Sequence, residues 1–195
     1  MADGCDARSG PERWRTRANG LTALRLVAAP ACALAILVRA DVAALALFAF
    51  AVLTDLADGR VARRYGETSA LGGFLDHATD ALFVSLATLA LALRAQTPLL
   101  LPALIMAAFV QYALDSRALA LRAPPRPLRA SALGRWNGIA YFVLVGIPVV
   151  RDGLSLGWPP DILVTWVGRA LVVTTGLSML DRFRSRRPPG REPTR

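Results

Sequence analysis

Asp55-Leu-Ala-Asp58-Gly59-Arg60-Val-Ala62-Arg63 is followed, after eight further residues, by Gly72-Gly-Phe-Leu-Asp76-His77-Ala-Thr-Asp80, so four carboxylates fall within 26 residues. At about 100° per helical residue, Asp55, Asp58, Gly59, Ala62 and Arg63 share one face about 140° wide. Gly72, Asp76 and Asp80 are spaced by four and share a face of the next helix. Two helices joined by a short turn therefore present four carboxylates, small residues and one arginine to a common cavity. An ionised aspartate at membrane depth costs roughly 2.5–3.5 kcal/mol, and four together repel one another unless cations neutralise them. Hard divalent ions such as Mg²⁺ or Mn²⁺ bind carboxylate and phosphate oxygens at once. Two such ions would offset four negative charges and leave room for a diphosphate. Gly59 and Ala62 keep the surface open to a close approach, and Arg63 can hold phosphate oxygens in fork geometry. The plainer alternative is a salt-bridge cluster with Arg60, Arg63 and Arg64. His77, the single histidine, lies about 100° from Asp76 and reads as a neutral structural residue.

The elements that must position these groups are apolar. Of 195 residues, 54% are hydrophobic, and six apolar segments run over roughly 21–38, 42–63, 70–93, 98–121, 136–150 and 160–180. A bilayer core takes about 20 helical residues. The purely apolar stretches Val42–Leu53 and Ala81–Leu93 are too short to span it unless their helices continue through the polar stretches 54–63 and 70–80. The expected fold is an all-α integral membrane protein of six transmembrane helices. Residues 1–20 form a basic cytoplasmic segment, 21–183 the helical domain and 184–195 a disordered basic tail. Residues 11–19 are either a short amphipathic surface helix with Trp14 at headgroup level or part of a disordered tail. The polar, arginine-rich start leads into the first apolar run without a small-residue cleavage site, so that run is read as a retained helix.

The net charge of +9 comes from 23 arginines and no lysine. They cluster between apolar runs, which argues against a nucleic-acid partner. Eighteen lie before segment one, between two and three, between four and five, or after six, against Arg39, Arg94 and Arg151 in the opposite loops. The positive-inside rule then puts both termini and the turn between segments two and three in the cytoplasm. Cys5 and Cys32 match no metal-ligand spacing and form no disulfide framework.

The pattern D-x-x-D-G-x-x-A-R-x8-G-x-x-x-D-x-x-x-D resembles the signature of the CDP-alcohol phosphatidyltransferases at every fixed position, in the manner of members that make phosphatidylglycerophosphate or phosphatidylinositol phosphate. Asn19, Thr22, Arg25 and Pro30 look like the N-x-x-T-x-x-R-x4-P run of that family's first helix. The resemblance extends over residues 11–183. It implies that Asp55, Asp58 and Asp76 ligate two divalent metal ions, that Asp80 is the general base, and that Gly59, Ala62, Arg63 and Gly72 line the CDP pocket. It also implies CDP-diacylglycerol as donor, an alcohol acceptor, a homodimer among membrane lipids, and the bacterial cytoplasmic membrane as location. The acceptor hydroxyl would attack the β-phosphorus and expel CMP, with no covalent intermediate.

Other arginines leave two readings each. Ser131-Ala-Leu-Gly134-Arg135 is an acceptor-side approach or an ordinary basic loop. Asp115 and Arg117 pair with each other or face the cavity. Arg169, near the middle of segment six, serves the acceptor site or a buried ion pair. The acceptor expected is a phosphorylated polyol, glycerol 3-phosphate before inositol phosphate, held by Arg117, Arg122, Arg135 and Arg182. Competing classes are an aspartate-rich membrane prenyltransferase, a scaffold with an idle site, and a metal transporter. The first splits its aspartates between distant helices, the second would lack an aspartate, and the third would carry its carboxylates at mid-membrane.

Overall fold

A computed structural model of the chain describes residues 17–65, 70–120 and 132–185. The N-terminal stretch 11–16, the Pro124–Pro127 break, Arg122 and the tail after 185 lie outside the described residues. The six helices are α1 (Arg17–Leu37), α2 (Asp41–Tyr65), α3 (Ala70–Leu93), α4 (Leu100–Ala120), α5 (Ala132–Gly153) and α6 (Asp161–Ser185). All described regular structure is helical, as expected. Helices α2 and α3 do continue through the polar stretches 54–63 and 70–80. Three helices run well past their expected apolar segments: α1 begins at Arg17 rather than 21, α6 ends at Ser185 rather than 180, and α5 begins four residues before the apolar run at 136. Ala132 and Leu133 are strong helix formers and carry the helix out past the apolar boundary.

The helices form a ring. α1 packs on α2, α2 on α5, α5 on α6, α6 on α4, α4 on α3 and α3 on α1, while α3 also crosses to α5. That crossing is made of aromatic rings. Phe83 of α3 is fully buried, stacks on Phe142 of α5 at 6.1 Å and leans on Phe48 of α2 at 6.2 Å. Close packing of α2 against α5 also uses Gly153, where a Cβ would stand 2.7 Å from Leu45 Cβ.

The outer faces are apolar. Leu24, Val27, Leu53, Leu114, Val143 and Val173 are exposed on five different helices. Soluble monomers rarely show contiguous apolar surface on this scale, and lipid is the solvent in which it is stable. Gly72–Leu93, Leu133–Gly153 and Asp161–Arg184 are each long and apolar enough to cross a bilayer. Thr22–Leu37 and Leu100–Asp115 form shorter apolar helical stretches. The chain is a helical membrane protein.

At the end of the bundle away from the aspartate motif, α1, α3 and α5 stop in the same way. Arg39, Ala95 and Ser155 adopt φ of 59°, 60° and 54°. Ala40, Gln96 and Leu156 then donate back to the carbonyls of Ala35, Leu91 and Arg151 at 2.8–2.9 Å. These are Schellman ends without the usual glycine. One ion network joins the three turns. Arg94 reaches Asp152 at 3.4 Å and Asp41 at 3.8 Å, and Arg151 reaches Asp152 and Asp161 at 2.7 Å each. With Arg39 and Gln96 they line a cavity of about 420 Å³. The three arginines on the minority side of the charge count are thus gathered in one place, two of them paired with aspartates.

Candidate active site

Asp55 lies ten residues before the end of α2, and Asp76 and Asp80 lie one turn apart near the start of α3. Their helical hydroxyl neighbours are satisfied locally: Thr54 donates to the Phe50 and Ala51 carbonyls, and Thr79 to the Leu75 carbonyl, each at 2.9 Å. Neither threonine therefore competes for the carboxylates. One oxygen from each of Asp55, Asp76 and Asp80 falls within 4.8 Å of the others. Helical spacing thus brings these three together. Asp58, Gly59, Ala62 and Arg63 follow on the described backbone of α2, and their side chains lie outside the described residues. The same holds for Arg60 and Arg64. Gly72 sits one turn before Asp76 and is half-buried.

The cation among the three carboxylates comes from α1. Arg25 is completely buried. Its Nη1 lies 2.8 Å from Asp80 Oδ1, 2.9 Å from Asp76 Oδ1 and 3.3 Å from Asp55 Oδ1. The guanidinium is a weakly hydrated fork, well suited to buried carboxylates. The α1 pattern containing Arg25 was legible, but this role was not. The available signal was a charged residue between Leu24 and Leu26 in an apolar run, and an intramembrane ionisable residue is a functional candidate by default. The side chains of Asp55, Asp76 and Asp80 are 40%, 34% and 27% exposed, so Asp80 is the most enclosed.

An all-carboxylate set of this spacing fits a hard cation that takes oxygen ligands. Asp55, Asp76 and Asp80 supply more negative charge than Arg25 can cancel, which leaves the cluster attractive to divalent ions.

A cavity of about 580 Å³ opens beside the cluster between α3, α4, α5 and α6, with Asp55 and Asp80 on its wall. Arg135 and Arg182 also line it, and Arg182 lies over the Tyr112 ring at 5.6 Å. Gly134 and Arg135 belong to the first turn of α5 rather than to a loop before it. His77 also lines the cavity. Its Nδ1 donates to the Gly73 carbonyl at 2.9 Å and its ring stacks on Tyr112 at 5.8 Å. Arg117 is on α4 with its side chain outside the described residues. Arg169 is in neither expected place. It is exposed, lies 4.8 Å above the Trp166 ring, and is absent from the cavity wall. At 100° per residue, Ser178, Arg182 and Thr175 sit about 180–240° around α6 from Arg169, which turns it to the outer surface. Sequence reasoning also missed the buried polar lining deeper in the cavity: Gln111, Asn137, Tyr141 and Thr175. Amide and hydroxyl residues inside apolar segments were the signal for it.

Residues 15–177 match the family model described as CDP-alcohol phosphatidyltransferase. A probable phosphatidylglycerophosphate synthase of Mycobacterium tuberculosis is 36% identical over 104 residues, which is 50% of this chain and 50% of the relative. A CDP-diacylglycerol–glycerol-3-phosphate 3-phosphatidyltransferase of Cereibacter sphaeroides is 31% identical over 142 residues, 70% of this chain and 64% of the relative. A cardiolipin synthase (CMP-forming)/mitochondrial hydrolase fusion protein of Schizosaccharomyces pombe is 29% identical over 151 residues, 70% of this chain and 25% of the relative. The chain thus spans between a quarter and just under two thirds of the length of these relatives. By the match over most of its length, together with the aspartate pattern on α2 and α3, the chain belongs to the CDP-alcohol phosphatidyltransferase family.

Proposed function

We propose that the protein transfers a phosphatidyl group from CDP-diacylglycerol to a hydroxyl of glycerol 3-phosphate and releases CMP. The observation that carries this reading is the convergence of Asp55, Asp76 and Asp80 within 4.8 Å, with Asp55 and Asp80 on the wall of a cavity, in a chain of this family. Asp80 accepts the proton of the acceptor hydroxyl as its oxygen bonds to the β-phosphorus and the bond to the CMP oxygen breaks. Arg25, at 2.8 Å from Asp80 and 2.9 Å from Asp76, holds both carboxylates in register. Asp55, Asp58 and Asp76 would hold two divalent ions, Mg²⁺ or Mn²⁺, which would neutralise charge developing on the diphosphate. Gly59, Ala62, Arg63 and Gly72 receive the CDP moiety. Arg135 and Arg182 bind the acceptor phosphate, for which the guanidinium fork is matched.

The eighteen arginines on the motif side orient that side, with both termini, toward the cytoplasm of a bacterial cell membrane. The names of the Mycobacterium and Cereibacter relatives favour glycerol 3-phosphate as acceptor. That of the yeast relative favours a second reading, in which the acceptor is a glycerophospholipid. A purified-protein assay with labelled CDP-diacylglycerol, either divalent ion and a panel of acceptors tests this directly. Labelled phosphatidylglycerophosphate and stoichiometric CMP are expected. Turnover of serine or a free amino alcohol with none on phosphorylated polyols would refute the acceptor class.

A further inference from the structure

Beyond the charged groups, the cavity beside Asp80 carries two buried side-chain amides. Gln111 on α4 and Asn137 on α5 are 6% and 5% exposed, and both line it. Each spends half of its amide inside the bundle. Gln111 Nε2 donates to the Met179 carbonyl at 3.1 Å, and Asn137 Oδ1 accepts from Thr174 Oγ1 at 3.0 Å. Of the other halves, Gln111 Oε1 has no hydrogen-bond partner. Asn137 Nδ2 faces only the Tyr141 hydroxyl, which is itself paired with Thr175 at 2.6 Å, and so keeps at least one of its two N–H donors unused. Buried polar atoms are nearly always satisfied, so two such atoms on the wall of one cavity point to a ligand that completes them.

Their chemistry restricts that ligand. One is an acceptor and the other a donor. An ammonium can satisfy only Gln111 Oε1, and a carboxylate or phosphate only Asn137 Nδ2. A neutral hydroxyl donates and accepts, so hydroxyl groups suit both. Depth supplies an order. Asp80 lies ten residues into α3 and Gln111 nine residues from the end of α4, roughly 13–15 Å below their helix ends at 1.5 Å per residue. Asn137 lies five residues into α5, while Arg135 and Arg182 are each three residues from an end. From mouth to floor the cavity therefore offers a cation pair, then an amide donor, then an amide acceptor at the level of Asp80.

We propose that Gln111 and Asn137 are specificity-determining residues that read a second hydroxyl of the acceptor, the one between its phosphate and the attacking hydroxyl, so that the cavity selects a vicinal-diol phosphate. This rests on the transfer reaction proposed above. The same group occurs in free glycerol 3-phosphate and as the headgroup of phosphatidylglycerol.

The test uses the full chain in nanodiscs with CDP-diacylglycerol and a divalent ion. kcat/KM is measured for glycerol 3-phosphate and for phosphatidylglycerol, each beside its analogue lacking the middle hydroxyl. The wild type is expected to prefer the diol over the deoxy analogue by roughly 5- to 150-fold, the range for leaving a buried hydrogen-bonding group unsatisfied. Whichever diol is used identifies the source. In Asn137→Leu and Gln111→Met the preference should collapse toward unity, through loss on the diol, while the donor KM stays put. If these variants do not fold, the same collapse of the ratio is expected in Asn137→Ser and Gln111→Asn. A wild type that uses diol and deoxy analogue equally, or variants that keep the wild-type ratio, would overturn the assignment while leaving phosphatidyl transfer intact. Absence of turnover with any polyol phosphate, with transfer to other alcohols, would instead overturn the acceptor reading beneath it.

Discussion

Arg25 is the side chain on which the acidic cluster depends in the absence of metal. It is fully buried and within 3.3 Å of three carboxylates, so its removal leaves like charges facing one another in a water-poor site. Arg25→Ala should lower stability by about 1–3 kcal/mol when a chelator is present, the half-exposed aspartates softening the penalty of a broken buried pair. Mn²⁺ or Mg²⁺ should return part of that loss, and thermal melts with and without the ion check it. The roles proposed for the carboxylates separate them experimentally. Asp80→Asn should cut turnover by roughly 10²- to 10⁴-fold, the range for a lost general base, with donor binding retained. Asp55→Ala and Asp76→Ala should lose donor binding as well, measured by nucleotide titration with metal. At this scale the aspartates were legible because a spacing of three and four fixes which residues share a helix face. Arg25 was not, because its partners are 30, 51 and 55 residues away, and such closeness depends on how α1 leans on α3. Arg169 was open to the same kind of wheel as the aspartates. Its angle to Ser178 and Arg182 already turned it outward.

Among the elements, all six helices were legible from apolar length, including the two that had to run on through charged residues. What apolarity could not mark was where α5 begins, since its first turn is set by propensity rather than burial. The far-end stops were equally hidden, because Arg39, Ala95 and Ser155 take a left-handed backbone that sequence rules reserve for glycine. Ala95 carries no side-chain function that would oppose a change, so Ala95→Gly should raise stability by about 1 kcal/mol by relieving that conformation. A shift in the thermal midpoint reads this out, and no gain would count against the strained backbone. Orientation is tested on a background lacking Cys5 and Cys32. A cysteine at Gly66 should react with an impermeant thiol reagent only when the cytoplasmic side is open, and one at Leu99 only from outside. Leu99 is the better outer probe because it is 64% exposed, whereas Gln96 in the same turn is buried and bonded to Asp161 at 3.1 Å. The reverse labelling pattern would invert the topology.

For the whole molecule, the charge count along the sequence distinguished two ends, and the folded chain gives those ends different construction. One gathers acidic groups around a cavity. The other ties three interhelical turns together through Arg94, Arg151, Asp41, Asp152 and Asp161. Asp152 joins both arginines, and all three side chains are mostly buried. Asp152→Asn should therefore cost about 1–3 kcal/mol and speed amide hydrogen exchange at the ends of α3 and α5, with acceptor KM unaffected. None of this network could be read from the sequence, where those five residues span 41 to 161 and look like ordinary loop charges.

A bundle fastened at one end has its freedom at the other. A helix of 25 residues is about 37 Å long, so pivoting it by five degrees about the fastened turns moves its opposite tip by about 3 Å. That displacement approaches the thickness of one acyl chain. The ion network thus sits where a hinge pin would, and a rotation of that size about it would open a lateral gap beside the aspartates, on the side from which the lipid donor proposed above would enter.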